Sequence, residues 1–272
     1  MQRVECLLAC KPSSQELPVM TRLQLFEIAD QPWCPPFIRR AVTAFLATVA
    51  SRTGIYLPTV NLLKQALGQA TTKTIVVLCA GSGGGIRDVA AAFSPGARIV
   101  LTDLVPDPSF NSSAPAITYD PRSIDARDIP ADLKGARVFY GSFHHFAPDD
   151  ARAILDSTVR AREPIAIFEG TERSFRGIAV CLLIPILVLI MMLWVRPVRL
   201  LWIVSTYLIP ILPAVILWDG VVSSLRSYTQ EEMRGFVEPF KSYQWEVGIL
   251  LGPHKEHISY LLGTPNQYIA SA

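Results

Sequence analysis

The apolar positions along the chain follow different patterns in successive segments. In residues 1–72 they recur at helical intervals, which predicts an N-terminal helical cap. In residues 73–176 short runs rich in β-branched residues alternate with helical patterns, which predicts a parallel sheet with flanking helices. Residues 177–218 are almost entirely apolar, and residues 219–272 predict one helix followed by two strands. The expected fold class is therefore α/β with an inserted apolar segment.

The strands are recognised by apolar runs without polar alternation, as in the first one, 74–79, which we expect to be buried on both faces. A short connection joins the last two strands, 245–251 and 257–262, so they must pair antiparallel. Residues 229–232 are typical of a capping box and predict the start of a helix. The other expected elements are strands at 98–103, 116–119, 137–141 and 164–169 and helices at 37–53, 56–67, 84–93 and 148–161.

The apolar segment consists of two uncharged stretches, 177–195 and 200–218, on either side of a turn with two arginines. At ~1.5 Å per residue each stretch could cross a ~30 Å hydrocarbon layer. We therefore expect a transmembrane helical hairpin in the cytoplasmic membrane, with the remainder of the chain facing the cytoplasm. The alternative is a soluble protein in which two core helices, broken by prolines, form an apolar lid or a dimer interface.

Composition narrows the function without identifying it. Lys and Arg total 25 against 23 for Asp and Glu, so there is no strong basic field and no nucleic-acid partner is expected. The mean hydropathy of +0.33 is high for a soluble enzyme. Five cysteines and four histidines are scattered without zinc-type spacing, so we expect reduced thiols and no metal site. No cleaved signal peptide is expected, and the oligomeric state is not indicated.

A glycine-rich loop follows the first strand and precedes a helix. Gly81, Gly83 and Gly85 allow the backbone to turn sharply and to approach a ligand closely. Asp103 ends the second strand about twenty residues further on, where a carboxylate is suited to bind the hydroxyls of a ribose. The loop and this carboxylate together indicate a nucleoside cofactor.

These features occur in an order that resembles the class I S-adenosylmethionine-dependent methyltransferases. The resemblance covers about residues 74–168 and 243–264. Residues 81–85 resemble the G-x-G-x-G loop of the family, residues 124–130 its Asp-Ala-x-x-Leu-Pro segment, and residues 142–146 the segment after its fourth strand. The resemblance implies a Rossmann-like, seven-stranded, mostly parallel sheet with a C-terminal antiparallel hairpin, and S-adenosyl-L-methionine as the cofactor.

The resemblance also implies roles for individual residues. The glycine loop would hold the amino-acid end of the cofactor, Asp103 its ribose and Asp125 its adenine. Cys79 departs from the family, which usually has Asp or Glu there to support the ammonium group; Glu27 or Asp30 of the cap is an alternative source of that carboxylate. The implied cofactor-binding residues are Cys79, Gly81, Ser82, Gly83, Gly85, Asp103, Leu104, Asp125, Ala126, Ser142 and Phe143.

The candidates for catalysis follow the fourth and fifth strands, where open α/β sheets build their sites. They are His144, His145 and Glu169. Adjacent residues on an extended segment point to opposite sides, so at most one histidine is expected to face the methyl group. The candidates for substrate contacts are Glu27, Asp30, Trp33 and Asp219.

Together these expectations describe a membrane-bound methyltransferase that acts on a lipid or lipophilic small molecule by in-line displacement. A nicotinamide-binding domain is disfavoured, because the third glycine of its G-x-G-x-x-G fingerprint would fall at Ile86. Two alternatives remain open: a non-catalytic, membrane-anchored relative, which Cys79 favours, and a soluble small-molecule methyltransferase with an apolar lid.

Overall fold

The computed structural model describes residues 20–93, 96–106, 110 and 116–266. Seven strands form one sheet in the order β3–β2–β1–β4–β5–β7–β6. The first five strands are parallel, and β7 runs antiparallel to both β5 and β6. The strands are β1 Thr74–Leu78, β2 Arg98–Asp103, β3 Ile117–Ser123, β4 Ala136–Tyr140, β5 Ile165–Glu169, β6 Tyr243–Leu251 and β7 His257–Pro265. The expected parallel sheet with a terminal antiparallel hairpin is therefore confirmed.

Both faces of the sheet are covered, which explains why β1 lacks polar alternation. Ile75 and Val77 pack into an apolar cluster on one face, and Val76 and Leu78 pack into a second cluster on the other face. Nine helices accompany the sheet in the described part of the chain. They are α1 Pro36–Thr53, α2 Val60–Gln69, α3 Gly84–Val89, α4 Pro148–Ala161, α5 Phe175–Cys181, α6 Ile184–Met191, α7 Leu200–Ile203, α8 Ile211–Arg226 and α9 Gln230–Val237.

The expected helices are present, with two differences in their bounds. The helix expected at 56–67 is a 3₁₀ turn, Leu57–Thr59, followed by α2, which extends to Gln69. The helix expected at 84–93 is shorter, because α3 ends at Val89 and a 3₁₀ turn occupies Ala90–Phe93. Thr229 and Glu232 form the expected capping box at the start of α9. The part of the expected cap before residue 20 lies outside the described residues.

The apolar segment does not form two straight helices. Residues Phe175–Trp194 make one helical stretch that is long and apolar enough to cross a membrane, and only 17% of its most apolar window is buried. The second stretch is bent by 80° between Leu200–Leu208 and Ile211–Arg226. Pro210 accounts for the bend, because it lacks a backbone N–H and favours an extended conformation in the residue before it. The second stretch expected to cross the membrane, 200–218, is therefore a bent pair of helices.

The second half of the apolar segment packs on the cap instead of projecting away from it. Side chains of α1 and of α6 to α8 form a third buried cluster. Trp202 also donates a hydrogen bond from Nε1 to the carbonyl oxygen of Phe37, at 3.1 Å. This docking brings the C-terminal end of α8 to the same edge of the sheet as the ends of β4 and β5.

Candidate functional site

The loop between β1 and α3 is fastened to the end of β2. The backbone N–H of Gly81 donates to Oδ2 of Asp103 at 2.9 Å, and the hydroxyl of Tyr119 donates to the carbonyl oxygen of Gly81 at 3.2 Å. Cys79, Gly81 and Gly83 have φ angles of 51°, 51° and 68°, so the turn runs through the left-handed region that favours glycine. The structure thus brings together the predicted loop and the predicted ribose ligand.

The cap helix α1 closes over this loop. A Cβ added to Gly84 would lie 2.6 Å from the Cα of Ala47, so only glycine allows the two helices to approach this closely. The hydroxyl groups of Ser82 and Thr43 lie 3.0 Å apart. Thr43 and Ala47 were missed in the sequence, because a contact between the cap and the loop leaves no local signal.

The other predicted cofactor residues lie along the carboxyl edge of the sheet in different environments. The side chain of Asp125 is paired with Arg127 at 2.6 Å, and this hydrogen bond lowers the pKa of Asp125. Leu104 is exposed, whereas Ala126 and Phe143 are buried. The hydroxyl of Ser142 is buried and has no hydrogen-bond partner among the residues that the structure describes. A buried hydroxyl without a partner, two residues after the end of β4, fits the binding of a polar ligand.

Cys79 occupies the position where the resembling family has an acid. Burial raises the pKa of its thiol, and the carboxylates of Asp103, Asp125 and Asp30 raise it further. The thiol is therefore neutral, and three carboxylates are close enough to raise its pKa. One of them is Asp30, which the sequence had suggested as a substitute for the missing acid.

Glu169 organises the residues at the ends of β4 and β5. Its Oε2 atom lies 2.7 Å from Nδ1 of His144, and its Oε1 atom accepts the backbone N–H groups of Phe143 at 2.7 Å and of His144 at 3.2 Å. Phe143–His145 forms a 3₁₀ turn. The two histidine rings therefore stack, with 4.4 Å between their centroids, and the expectation that they point to opposite sides is wrong.

The cap supplies the second half of this cluster. Oε1 of Glu27 lies 3.5 Å from Nε2 of His144, and Oδ2 of Asp30 lies 2.8 Å from Nδ1 of His145. We call Glu27, Asp30, His144, His145 and Glu169 the histidine–carboxylate cluster. The structure thus joins all three predicted catalytic residues to two of the predicted substrate residues.

The electrostatics of the cluster follow from burial and mutual pairing. Burial opposes a charge on His144, but Glu169 and Glu27 outweigh this effect and raise the pKa of His144 to about 10. Burial likewise opposes a charge on Glu27, but His145, His144 and Arg226 outweigh it and lower the pKa of Glu27 to about 2. His144 and Glu27 are therefore held as an ion pair.

Two arginines complete the surroundings and were not among the predicted site residues. Arg226 contacts Oε1 of Glu27 at 3.3 Å and donates a hydrogen bond to the carbonyl oxygen of His145. Arg22 donates to the carbonyl oxygens of Arg226 at 2.7 Å and of Phe146 at 3.0 Å. In the sequence Arg226 only marks the end of an apolar helix, so nothing local indicates its role.

Of the two remaining predicted substrate residues, Asp219 holds the cap segment in place and Trp33 does not. Asp219 accepts the backbone N–H groups of Ile28 at 2.6 Å and of Ala29 at 3.1 Å, so both of its oxygens are engaged. The indole N–H of Trp218 donates to the carbonyl oxygen of Phe26 at 3.0 Å. Trp33 packs against the ring of Phe26 and is otherwise largely exposed. Asp219 and Trp218 therefore fix the segment that carries Glu27 and Asp30.

Comparison with known proteins identifies the fold. No family model and no curated protein matches the sequence. The plantazolicin methyltransferase BpumL in complex with SAH is similar in structure, with a TM-score of 0.52 and 10% identity over 88% of this chain and 94% of that one. A second structure of that enzyme, in complex with a monoazolic desmethylPZN analog and SAH, has a TM-score of 0.50 and 10% identity over 85% of this chain and 98% of that one.

Human N-acetylserotonin methyltransferase in complex with SAM has a TM-score of 0.45 and 12% identity over 76% of this chain. The present chain spans about half of the length of that enzyme. The likeness to BpumL shows that this chain has the class I methyltransferase fold, as expected from the sequence. The comparisons do not support the expected membrane-associated variant of that fold.

Proposed function

We propose that the protein is an S-adenosyl-L-methionine-dependent methyltransferase. The observation that carries the proposal is the glycine loop bonded to Asp103, in a fold whose similar structures hold SAH. In this proposal the loop Gly81–Gly85, with Ser82 inside it, holds the amino-acid end of the cofactor. Asp103 holds the ribose, and Asp125 and Ala126 hold the adenine. The cofactor supplies a methyl group activated on a sulfonium.

The proposed task of the protein is to position the acceptor and to exclude water, and such positioning can contribute ~7–11 kcal/mol to catalysis. The histidine–carboxylate cluster supports an acceptor site at the ends of β4 and β5. The side chain of His145 is 29% exposed, whereas that of His144 is 3% exposed. We therefore assign the contact with the acceptor to His145 and Asp30, and a positioning role to His144 and Glu169.

The acceptor in this proposal carries a proton on its reacting heteroatom, as a hydroxyl or an amine does. Such an acceptor must lose that proton during transfer, and a suitably placed group that takes it contributes ~10²–10⁴-fold to the rate. The imidazole and carboxylate groups at the open side of the cluster are suited to bind and polarise such a heteroatom.

The exposed apolar surface supports a membrane location and a lipophilic acceptor. Soluble proteins rarely expose contiguous apolar patches larger than a few hundred Å². Here many large apolar side chains from α5 to α8 are exposed: Val180, Leu182, Leu183, Ile186, Ile190, Leu193, Leu200, Leu201, Leu208, Ile209 and Ile211. We propose that this surface enters the cytoplasmic membrane and that the sheet domain faces the cytoplasm.

A groove next to this surface supports the same substrate class. Its volume is about 470 Å³, and it is lined by Ile28, Ile209, Pro210, Ile211, Ala214, Val215 and Trp218. Ile28 belongs to the cap segment that carries Glu27 and Asp30. An acceptor with its apolar part in this groove can present its polar part towards the cluster.

The test is a transfer assay with the full chain in detergent, methyl-labelled cofactor and a membrane lipid extract. We expect label in the lipid fraction. Label that appears only on added protein or RNA contradicts the lipophilic acceptor. Failure of the folded protein to bind SAH in isothermal titration calorimetry contradicts the methyltransferase itself.

A further inference from the structure

Two histidines and a glutamate of the cluster present donor atoms towards one another. One donor atom from each of Glu27, His144 and His145 lies within 4.8 Å of the other two. Nδ1 of His145 lies 3.8 Å from Oε2 of Glu27 and 2.8 Å from Oδ2 of Asp30. In a tetrahedral zinc site with bonds of ~2.0–2.3 Å, neighbouring ligand atoms are separated by ~3.3–3.7 Å. The distances observed here bracket that separation.

The ring of His144 is oriented by a carboxylate, as the rings of metal-binding histidines usually are. Its Nδ1 atom faces Glu169, whose other oxygen is fixed by two backbone N–H groups. Metal-binding histidines usually have such a carboxylate partner, which fixes the ring and its tautomer. Its Nε2 atom is buried, has no hydrogen-bond partner in the described part of the chain, and lies 3.5 Å from Oε1 of Glu27. Binding of an ion would displace the proton that His144 carries in its ion pair with Glu27, and this nitrogen would then be directed into the cluster as a ligand.

The charges of the cluster also suit a divalent cation. Once the proton has left His144 and both imidazoles are neutral, the three carboxylates Glu27, Asp30 and Glu169 face the guanidinium of Arg226. The guanidinium of Arg22 lies next to the cluster, at 3.3 Å from the carbonyl oxygen of His144, so one negative charge remains. The guanidinium contacts Oε1 of Glu27, so Oε2 remains directed towards His145. Imidazole ligands favour zinc and similar transition metals over magnesium or calcium, which prefer oxygen ligands.

We propose that Glu27, His144 and His145 bind a divalent transition-metal ion of the zinc type, with the fourth position, next to Asp30, left open for the acceptor. Binding of the ion does not depend on methyl transfer. The role of the ion, in contrast, rests on the proposed function. An ion at the open side of the cluster would bind the acceptor heteroatom, which would then lose its proton more easily.

The test uses the full chain in detergent, with any affinity tag removed and metal stripped by a chelator. We expect one equivalent of Zn²⁺ to bind in isothermal titration calorimetry, and Co²⁺ to give the visible absorption of a tetrahedral site. His145→Asn and Glu27→Gln should weaken Zn²⁺ binding at least tenfold. Glu169→Gln, which removes the charged partner of His144, should weaken it by ~10–100-fold.

His257→Asn is the matched control, because His257 also pairs with a carboxylate, that of Glu172, but lies outside the cluster. Circular dichroism and SAH titration of each variant establish that it is folded. The proposal is overturned if the folded wild-type protein takes up no Zn²⁺, or if His145→Asn and His257→Asn bind it equally well. Absence of SAH binding alongside normal Zn²⁺ binding would contradict the proposed function and leave the metal site in place.

Discussion

The carboxylate of Glu169 contacts His144 twice, through Nδ1 of the ring at 2.7 Å and through the backbone N–H at 3.2 Å. Both side chains are almost completely buried. Burial removes the competing interactions with water, so each group depends on the other for its hydrogen bonds. This pair connects the end of β5 to the turn after β4.

Glu169→Gln should therefore lower the stability of the protein. Breaking a buried charged pair costs about 3–5 kcal/mol. Because Glu27 remains as a second carboxylate next to His144, we expect a loss at the lower end of this range. Thermal unfolding in detergent measures the loss. The control is Glu172→Gln, whose partner His257 is partly exposed, and for which about 1 kcal/mol or less is expected. Equal losses for the two variants would contradict the structural role of Glu169.

Gly84→Ala should destabilise the contact between α1 and α3. The added Cβ would lie 2.6 Å from the Cα of Ala47, and overpacking of this kind costs about 1–3 kcal/mol. Gly68→Ala in α2 is the control, because nothing lies within 4 Å of its added Cβ. That substitution should stabilise the protein by about 0.5–1 kcal/mol, since alanine loses less conformational freedom in a helix. Thermal unfolding should give opposite signs for the two variants.

Asp103→Ala should weaken SAH binding at least tenfold in calorimetry. The carboxylate holds the glycine loop through Gly81 and is the proposed ligand of the ribose hydroxyls. A tenfold loss corresponds to about 1.4 kcal/mol, close to the contribution of one hydrogen bond to a charged group. Asp128→Ala is the control, because Asp128 is exposed on the same edge. An unchanged affinity in Asp103→Ala would exclude the ribose assignment.

The double variant Ile186→Gln, Ile190→Gln should reduce sedimentation of the protein with liposomes. These side chains are 57% and 54% exposed, and each exposed apolar group that enters lipid stabilises the bound state. The matched control is Ile249→Gln, Leu251→Gln on β6, where the exposures are 44% and 59% but the apolar segment is distant in sequence. A wild-type protein that stays in the supernatant would favour the soluble protein with an apolar lid.

Much of the sheet could be anticipated from local sequence. Local sequence was enough to predict the run of β-branched residues in β1, the glycines after it and Asp103 at the end of β2. A few neighbouring positions suffice for these features, because strand burial and left-handed turns depend on local composition. The same is true of the capping box at Thr229. The antiparallel hairpin follows from the short connection between β6 and β7.

The path of the apolar segment could not be anticipated in the same way. Hydropathy reports how apolar a stretch is, not what covers it. The bend at Pro210 and the packing of α8 on α1 depend on contacts between residues far apart in the chain, such as Trp202 with Phe37.

For the candidate site, the sequence supplied the residue types and the fold supplied their grouping. Glu27 and Asp30, from the cap, meet His144 and His145 only because the sheet topology, α1 and α8 converge at one edge. The stacking of the two histidine rings results from a 3₁₀ turn whose dihedral angles are fixed by Glu169, a residue 25 positions away. Residues close together in the chain are enough to predict strands, turns and glycine bends. A buried charge cluster cannot be predicted in this way, because its residues come from segments far apart in the sequence.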